Sequence, residues 1–476
     1  MTRTTSSRSR TGCIPCRRKH QKCDEQRPIC SFCSFRGMQC QYPSGLKWMR
    51  QTEPMTSRHR PRAHRAGALS VLRSPAPFAD TFRSTEEKAA WEYYTRLVSS
   101  NVPALDGPEN PYRKLSITAL SSPILLETII CIATEHMLNF GLGSVPVAAE
   151  RQQRMLRSIR QSLLTIEPGQ THTDPTHEAC LAAVVLQGIV VAQRPDGVVE
   201  PHIKCASFLM HALGYFNDIS NHNPLARMTA QRFAMVDLML AISRQRRPFS
   251  PVQFVLHQPD EARWDGTEPS FYEMTGCPQP LMCFLVRIAY LACDVDDRLD
   301  ANLPIHDILN QAFTLETELR AWNTRYTGLV PDELPCPRSP LDILSECFYW
   351  TAHLLLARRV FRDPTRSPRV QYLAHTCFRL MDHLPTGCGP DSSLPQPFYL
   401  AAREAITVED RNWVRGKHEA MTAYYREQQR HSAMELTERI WARGDELRGA
   451  STSGDNQSVE DRFVRDLDRG SSLFIF

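Results

Sequence analysis

The sequence lacks any segment typical of a secretion signal or a membrane span. Its first ten residues, MTRTTSSRSR, are polar and basic, without the apolar core of a signal peptide. The most apolar run, Ala179–Ala192, is 14 residues long and includes Gln187, so it is too short to cross a bilayer. We therefore expect an intracellular protein with no membrane partner, whose thiols stay reduced.

Common catalytic signatures are missing as well. There is no P-loop, G-x-G-x-x-G, G-x-S-x-G or H-E-x-x-H sequence. The chain also has no repeat of fixed period and no long alternation of apolar and polar residues, which is the pattern of β-strands. With 42% hydrophobic residues, it can still bury a sizeable core. The missing motifs argue against the enzyme classes that these motifs define. The missing strand pattern favours a mostly α-helical chain.

Positive charge is concentrated near the N-terminus. Residues 1–66 contain 15 Lys and Arg against three acidic residues, a net charge of +12. The remaining 410 residues carry a net charge of −8. A small basic head on a mildly acidic body is typical of a polyanion-binding module joined to a part that does not contact nucleic acid.

Six of the 16 cysteines lie inside this basic head, in the stretch CIPCRRKHQKCDEQRPICSFCSFRGMQC. They form two copies of C-x2-C-x6-C, comprising Cys13, Cys16 and Cys23, then Cys30, Cys33 and Cys40. Three thiolates leave a tetrahedral zinc one ligand short, but two zincs reach four ligands each when two sulfurs bridge them. The spacing therefore predicts a binuclear cluster with two Zn²⁺ ions. A disulfide framework is disfavoured in a reducing compartment.

The six cysteines, the basic run RRKHQK and the loop proline Pro28 resemble the fungal Zn(2)-Cys(6) binuclear-cluster transcription factors. The resemblance implies that Cys13 and Cys30 are the bridging thiolates. It also implies two short helices related by a pseudo-twofold axis, with the stretch CRRKHQ entering the major groove of DNA.

The predicted DNA-binding residues follow Cys16 directly; they are Arg17, Arg18, Lys19, His20 and Lys22. Long cations neutralise phosphates, and a donor to guanine O6 or N7 adds about 1–3 kcal/mol of discrimination. Family members usually recognise CGG-like triplets, often with a lysine where His20 stands. Histidine can donate one hydrogen bond to N7 but is not a long cation. A strict CGG preference therefore stays open.

The chain divides into five regions by composition. We expect a basic disordered arm over 1–10, the cluster domain over 11–42 and a flexible basic linker over 43–82. A helical domain over 83–446 and a tail over 447–476 follow. The linker has prolines at 43, 54 and 61 and no heptads, so a homodimer would have to form through the large domain. The arm and the run Arg58–Arg65 are either import and phosphate-contact signals or solvated flanks.

Helical patterns fill the body. Ser84 and Glu87 suggest a capping box. The stretch DPTHEACLAAVVLQGIVVA predicts a buried helix with Asp174 as its N-cap and Pro175 at its first position. Further helices are predicted near 201–216, 224–244, 278–298, 303–324, 340–362, 367–384 and 418–446. Together they predict one large all-α domain.

The body resembles, more loosely than the head, the fungus-specific regulatory domain that accompanies such clusters. The carrying features are NPYRKLSITALSSPILLETIICIATEHM, CLAAVVLQGIVVAQ followed by HIKCASFLMHAL, and AISRQRRPF. The resemblance implies an all-α module that controls the output of the DNA-binding head, often for one metabolic or biosynthetic pathway. It carries over no residue-level ligand site.

Two stretches of the body suggest other chemistry. DDRLD, at Asp296–Asp300, has the DDxxD spacing with which isoprenoid synthases hold Mg²⁺ and a diphosphate, although the facing stretch from Asn217 lacks the second motif. The alternative is a charged helix end. His172, Asp174, His177 and Cys180 suggest a second metal site, but an N-cap, polar neighbours and a core cysteine explain them equally well.

The remaining cysteines and the tail each allow two interpretations. Cysteines within apolar helical segments are expected to be small buried hydrophobes, with a redox sensor among them as the alternative; they are Cys131, Cys180, Cys205, Cys283, Cys293, Cys347 and Cys377. The tail mixes acidic residues with Phe463, Leu467 and a final LFIF. It is either an activation segment that folds on a coactivator or a segment that docks on the body through Phe474–Phe476.

The combined prediction is a nuclear, zinc-dependent, sequence-specific DNA-binding regulator of RNA polymerase II transcription, and not an enzyme. Its expected partners are double-stranded DNA and the transcription machinery or co-regulators. One alternative is a co-regulator or repressor without its own activation function. The other is an all-α enzyme that uses Asp296–Asp300.

Overall fold

The computed structural model describes residues 13–18, 23–24, 26, 29–36, 38–41, 81–166, 175–194, 197–217, 223–252, 254, 270–327, 339–449 and 456–471. The chain forms two units, Met1–Ser74 and Pro75–Phe476.

The described residues of the N-terminal unit form two short helices, α1 (Ile14–Arg18) and α2 (Ser31–Phe35). Its buried apolar cluster consists of cysteines alone, with Phe32 and Met38 packed against them at its edge. Because the described residues of this unit bury no large apolar side chain, hydrophobic burial among them contributes little to stability. Metal binding is the usual source of folding energy in such small domains.

The second unit is helical throughout its described residues, where no β-strand occurs. Its α-helices are α3 (Thr85–Tyr93), α4 (Ser99–Asn101), α5 (Pro111–Thr118), α6 (Pro123–Asn139), α7 (Val145–Leu163), α8 (Pro175–Ala192), α9 (Glu200–Ala212), α10 (Pro224–Arg244), α11 (Phe271–Thr275), α12 (Gln279–Asp300), α13 (His306–Thr327), α14 (Pro340–Leu355), α15 (Pro368–Asp382), α16 (Pro395–Ala402), α17 (Val408–Tyr425), α18 (Gln428–Gly449) and α19 (Asn456–Gly470). Two π-helical turns, Tyr94–Val98 and Leu356–Val360, extend α3 and α14. The predicted fold class, mostly α with a large helical domain, is confirmed.

Helix starts follow local sequence rules. Many helices have proline in their first turn, where its missing N–H costs nothing; they include Pro111, Pro123, Pro175, Pro224, Pro340 and Pro368. Ser84 accepts a hydrogen bond from the Glu87 N–H at 3.2 Å, as predicted, but the Glu87 carboxylate accepts from the N–H of Arg83 rather than from that of Ser84. Complete capping boxes occur instead at Ser270 and Ser339.

The core of the helical unit is built around α8 and α10. In α10, every residue from Ala226 to Arg244 is buried, and α8 packs against α6, α9 and α10. The prediction of a buried helix starting at Pro175 is therefore confirmed, while Asp174 lies outside the described residues. No helix in the described part of the chain has both the length and the apolarity needed to span a bilayer.

One predicted helix is wrong. The segment 418–446 is not continuous, because α17 ends at Tyr425 and α18 starts at Gln428. Arg426 adopts a left-handed conformation with φ of 56°, and its guanidinium lies 5.0 Å from the centre of the Phe140 ring. A helix break of this kind usually has a glycine, and because an arginine stands here instead, the break was not predicted. Helix α19 was not predicted at all.

The cysteines of the helical domain behave as small apolar residues. Cys131, Cys180, Cys283, Cys293, Cys347 and Cys377 are buried, and Cys205 is half-buried. Burial raises the pKa of Cys180 to about 12 and that of Cys377 to about 12. A buried thiol that stays protonated is a poor nucleophile, which disfavours a redox role.

A buried histidine makes the helical unit acid-sensitive. The Nδ1 of His418 lies 2.7 Å from the Tyr399 hydroxyl, which donates to the Arg430 carbonyl at 3.1 Å. Burial, and then the neighbouring His431 and Arg430 charges, lower the pKa of His418 to about 4. The unfolded chain binds this proton with a pKa of about 6.5. The contribution of His418 to stability is therefore present above pH 6.5 and is lost as the pH falls towards 4.

We expect His418→Gln to reduce the loss of stability between pH 7 and pH 5 by about 2 kcal/mol relative to wild type. Urea unfolding followed by circular dichroism at the two pH values measures the effect. The control is His211→Gln, because His211 is exposed and is not among the groups that lower the pKa of His418. Identical pH dependence in the two variants would contradict the assignment.

Candidate metal centre and nucleic-acid interface

The structure gathers the six N-terminal sulfurs into two overlapping groups of four. One group is Cys13, Cys16, Cys23 and Cys30, and the other is Cys13, Cys30, Cys33 and Cys40. Within each group all ligand atoms lie within 4.8 Å of one another. Cys13 and Cys30 belong to both groups, so each group offers four sulfurs although only six exist. Four sulfurs are the ligand number that a structural zinc ion takes.

The sulfur–sulfur distances fit zinc. A tetrahedral ion with Zn–S bonds of about 2.3 Å separates its ligand sulfurs by roughly 3.8 Å. The Sγ of Cys13 lies 3.7 Å from that of Cys30 and 3.6 Å from that of Cys33. The Sγ atoms of Cys16 and Cys30 are also 3.6 Å apart. The donor set and its spacing therefore suit two zinc ions without rearrangement.

The two halves of the cluster repeat the same contacts with an offset of 17 residues. The Cys13 N–H points at the Cys23 sulfur at 3.5 Å, and the Cys30 N–H points at the Cys40 sulfur at 3.4 Å. The N–H of Ile14 donates to the Gln41 carbonyl at 2.8 Å. Its counterpart, the N–H of Ser31, donates to the Asp24 carboxylate at 3.1 Å. Each C-x2-C-x6-C copy thus folds in nearly the same way.

Short helices position the sulfurs. Cys16 lies within α1 and Cys33 within α2, while Cys30 is the N-cap of α2, where its sulfur accepts from the Cys33 N–H at 3.4 Å. A helix start suits a thiolate because its free N–H groups point towards the anion. In each copy, the first two cysteines are therefore held by a single helical turn.

Burial makes these thiols depend on a cation. Cys13, Cys16, Cys30 and Cys33 have no exposed surface. Burial is the largest effect on Cys33 and raises its pKa to about 12, and burial also raises the pKa of Cys13 and Cys16. Cys40 differs, because the N–H of Cys30 lowers its pKa. Six thiolates can ionise together here only if positive ions compensate them.

The predicted DNA-contacting residues are described only in part. The backbone of Arg17 and Arg18 forms the end of α1. Lys19, His20 and Lys22 lie outside the described residues, as do the arm over 1–10 and the run Arg58–Arg65.

One exposed cation of the second copy was missed in the sequence. Arg36 ends α2, is exposed, and lies 6.0 Å from the centre of the Phe35 ring, whose side chain is 85% exposed. The two cysteine repeats are offset by 17 residues, and Arg36 stands 17 positions after Lys19. Comparing equivalent positions of the two repeats would therefore have identified Arg36 in the sequence.

The DDxxD aspartates face arginines. Asp296 has no exposed surface and lies within 3.9 Å of four guanidinium groups, those of Arg359, Arg362, Arg465 and Arg469. Asp297 pairs with Arg247 at 2.7 Å, and Asp300 pairs with Arg465 at 3.0 Å. Carboxylates neutralised in this way present no free oxygen cluster for Mg²⁺ and a diphosphate.

The second suggested metal site lies only partly within the described residues. His177 and Cys180 are buried in α8, while His172 and Asp174 lie outside the described part. Among the residues that the structure describes, the two cysteine groups are the only His, Cys, Asp and Glu clusters able to hold a metal ion.

Comparison with known proteins gives two domain matches. Residues 90–460 match the family described as "Fungal specific transcription factor domain", which is more than half of the chain. Residues 11–49 match the "Fungal Zn(2)-Cys(6) binuclear cluster domain". No solved structure matches.

Three curated fungal relatives match shorter stretches. A thiamine biosynthesis regulatory protein of Saccharomyces cerevisiae is 42% identical over 55 residues, 12% of this chain and 12% of its own length. Transcriptional regulatory protein moc3 of Schizosaccharomyces pombe is 26% identical over 150 residues, 31% of this chain and 26% of its own. Transcriptional regulatory protein pro1 of Neurospora crassa is 46% identical over 41 residues, 9% of this chain and 6% of its own. The chain thus covers about a quarter or less of each relative.

The arginine contacts predict losses of stability of very different size for two adjacent aspartates. We expect Asp296→Asn to destabilise the helical unit by roughly 3–5 kcal/mol, because it leaves buried guanidinium groups without their counter-charge. Asp297 is 61% exposed, so we expect Asp297→Asn to cost less than about 1 kcal/mol. Urea unfolding of the full chain measures both. Equal losses, or stabilisation of wild type by added Mg²⁺, would contradict the ion-pair role.

Proposed function

The chain belongs to the fungal-specific transcription factor family, and from this we propose that it is a zinc-dependent, sequence-specific DNA-binding regulator of RNA polymerase II transcription that acts in the nucleus. The observation that carries the proposal is the pair of four-sulfur groups that share Cys13 and Cys30. The family assignment indicates a transcription factor and not an enzyme.

The cluster domain binds two zinc ions. We assign Cys13 and Cys30 as bridging ligands and Cys16, Cys23, Cys33 and Cys40 as terminal ones, which gives each ion four sulfurs. The short distances from Cys13 to Cys30 and Cys33, and from Cys16 to Cys30, support this assignment. Bound zinc supplies the cohesion that a hydrophobic core would give a larger domain, and so fixes α1 and α2.

The basic residues after Cys16 then form the DNA-reading surface. Arg17, Arg18 and Lys22 would neutralise phosphates, while Lys19 and His20 would reach base edges in the major groove. Six thiolates and two Zn²⁺ reduce the charge of residues 1–66 only to about +10, so the loaded head stays strongly basic. Arg36 offers a further phosphate contact from the second half of the cluster.

The remaining parts of the proposal concern regulation. The helical domain would control the output of the head for a metabolic or secondary-metabolite biosynthetic pathway, as the name of the thiamine biosynthesis regulatory protein says of that relative. CGG-like triplets are the proposed targets, and co-regulators or the transcription machinery are the proposed partners. A homodimer would form through the helical domain. Activation and repression through a recruited partner remain as alternative outputs.

Zinc content and DNA binding test the proposal together. We expect the full chain to contain two zinc ions and to shift duplexes with CGG triplets, and we expect a chelator to abolish the shift, because the metal holds the reading helix. Element analysis and gel shift measure the two quantities. Cys13→Ala should lose both ions, since a bridging sulfur serves each of them.

The matched control is Cys388→Ala, which removes a thiol outside the cluster and should keep both ions and the shift. A chain that binds any polyanion equally, with or without chelator, would contradict sequence-specific recognition.

His20 is expected to set the base preference. Binding-site selection from random DNA, with the full chain, reports triplet identity, half-site spacing and dimerisation at once. We expect His20→Lys to sharpen selection of CGG triplets by about 1–3 kcal/mol, because a long cation can reach guanine O6 and N7. Arg58→Gln, outside the cluster, should leave the selected triplet unchanged. The same logo for wild type and His20→Lys would remove His20 from base reading.

A further inference from the structure

A cavity with a volume of about 60 Å³ lies inside the helical unit. Its walls come from the ends of α10 and α14, from the segment after α14, from the end of α16, and from α18 and α19. One water molecule needs roughly 10–15 Å³ of such space, so the cavity has room for about four to six non-hydrogen atoms. It can therefore hold a small organic molecule but not a nucleotide or a peptide.

Part of the cavity lining is aliphatic. Four helices contribute these side chains, which are Ile242 of α10, Leu354 and Leu355 of α14, Leu400 of α16 and Ile440 of α18. Moving a hydrocarbon group from water onto such a surface is favourable. This part of the lining therefore suits the alkyl portion of a ligand.

The rest of the lining is mostly charged. It includes four carboxylates, Glu404, Glu460, Asp461 and Asp468, and four guanidinium groups, Arg358, Arg359, Arg362 and Arg403. Two of the arginines are consecutive, and both line the cavity from the π-helical turn Leu356–Val360. A π-helical turn inserts an extra residue into a helix, and such turns occur frequently at functional sites.

Carboxylates of the lining are already bound to these arginines. Arg358 pairs with Asp461 at 3.3 Å and donates to the Glu404 carboxylate at 3.0 Å. Arg403 donates two hydrogen bonds of 2.9 Å each to Asp468. Because their oxygens are engaged in this way, the carboxylates have little capacity left for a cationic ligand.

Three arginines of the lining each keep a hydrogen-bond donor that is not used. The Nε–H groups of Arg359, Arg362 and Arg403 are buried, and none of them has an acceptor among the described residues. The Arg403 side chain is only 8% exposed, and both of its terminal nitrogens are bonded to Asp468. A buried donor without an acceptor carries the full cost of losing its water. The lining therefore lacks acceptors, and a ligand that supplies them would be stabilised.

Positive charge beside the cavity is also incompletely compensated. Asp296 is the counter-ion of Arg359 and Arg362, and it lies within 3.9 Å of Arg465 and Arg469 as well. Burial lowers the pKa of Arg359, although the charge of Asp296 acts in the opposite direction. A bound anion would stabilise the charged form of such a group. Charge and hydrogen bonding thus favour the same kind of ligand.

We propose that this cavity is a binding site for a short aliphatic carboxylate with about four to six non-hydrogen atoms. Its carboxylate accepts hydrogen bonds from the Nε–H donors of Arg359, Arg362 and Arg403. Its alkyl part packs against the aliphatic lining, which includes Leu400 and Ile440. Inorganic anions provide the acceptors but leave the aliphatic lining uncovered. The site lies within the helical unit, so the inference does not depend on DNA recognition.

Four probes separate the contributions of charge, alkyl contact and size. In ligand-observed NMR titrations of the full chain, we expect saturable binding of isobutyrate with a Kd on the order of 1 mM or tighter. Isobutyramide has the same shape without the charge and should bind at least tenfold more weakly. Inorganic phosphate lacks the alkyl part and benzoate exceeds the cavity, so both should also bind at least tenfold more weakly.

The probes can also overturn the proposal. Equal binding of isobutyrate and isobutyramide would remove the role of the guanidinium groups, and equal binding of isobutyrate and phosphate would remove that of the aliphatic lining. Absence of saturable isobutyrate binding would assign the cavity to water alone.

A conservative variant tests the donors. Arg362→Lys keeps a positive charge beside Asp296 but has no Nε–H group, so it should weaken isobutyrate binding about tenfold. The matched control is Arg366→Lys, which changes an exposed arginine of the same segment and should bind as wild type does. Urea unfolding of both variants separates a lost ligand contact from a lost fold.

A filled cavity tests the location without removing any charge. Leu400→Phe places a larger side chain in the lining and should abolish isobutyrate binding. Leu164→Phe makes the same change at a position that is 80% exposed and should have no effect. Wild-type affinity in both Arg362→Lys and Leu400→Phe, at unchanged unfolding midpoints, would place the binding elsewhere and overturn the proposal.

Discussion

A charge that is taken out of water must be compensated nearby, and this requirement governs both units of the protein. In the N-terminal unit, buried sulfurs fill the place of a hydrophobic core. These sulfurs can all ionise only beside cations, so the bound zinc is part of what stabilises the folded unit. In the helical unit, the compensating cations are arginines, four of which surround the fully buried Asp296. Zinc ions in one unit and guanidinium groups in the other thus compensate buried negative charge.

The buried ion pairs also connect elements that are far apart in sequence. Apolar burial around α8 and α10 supplies most of the cohesion, but it is tolerant of small shifts between helices. Bidentate pairs such as Arg403–Asp468 are directional and fix one helix against another. Directional contacts of the same kind occur in the AISRQRRPF stretch. Arg246 stacks on Phe249 at 3.8 Å and pairs with Asp237. Arg247 pairs with Asp294 and Asp297. The DDxxD spacing therefore has a structural role here.

Sequence reasoning succeeded where the signal is local. The cysteine spacing predicted a shared-ligand cluster because each C-x2-C pair is held by one helical turn. Prolines and hydrogen-bonding caps marked helix starts, as at Pro175 and Ser84. The break at Arg426 was missed because an arginine stands where glycine is usual, and its left-handed conformation is accompanied by a contact with Phe140, far away in the chain. Helix α19 was missed because it is highly charged and gains its stability from arginines elsewhere.

The sequence by itself determined the number and chemistry of the metal ligands, the basic character of the head and the all-helical class of the body. Each of these depends on residue type and short-range spacing. Only the tertiary structure decided which charges meet. It turned the Asp296–Asp300 stretch into a centre of arginine pairs, and it paired Asp461 and Asp468 of α19 with Arg358 and Arg403. The physical reason is that ion pairing depends on distance in space, and the folded chain brings together groups whose separation in sequence carries no signal.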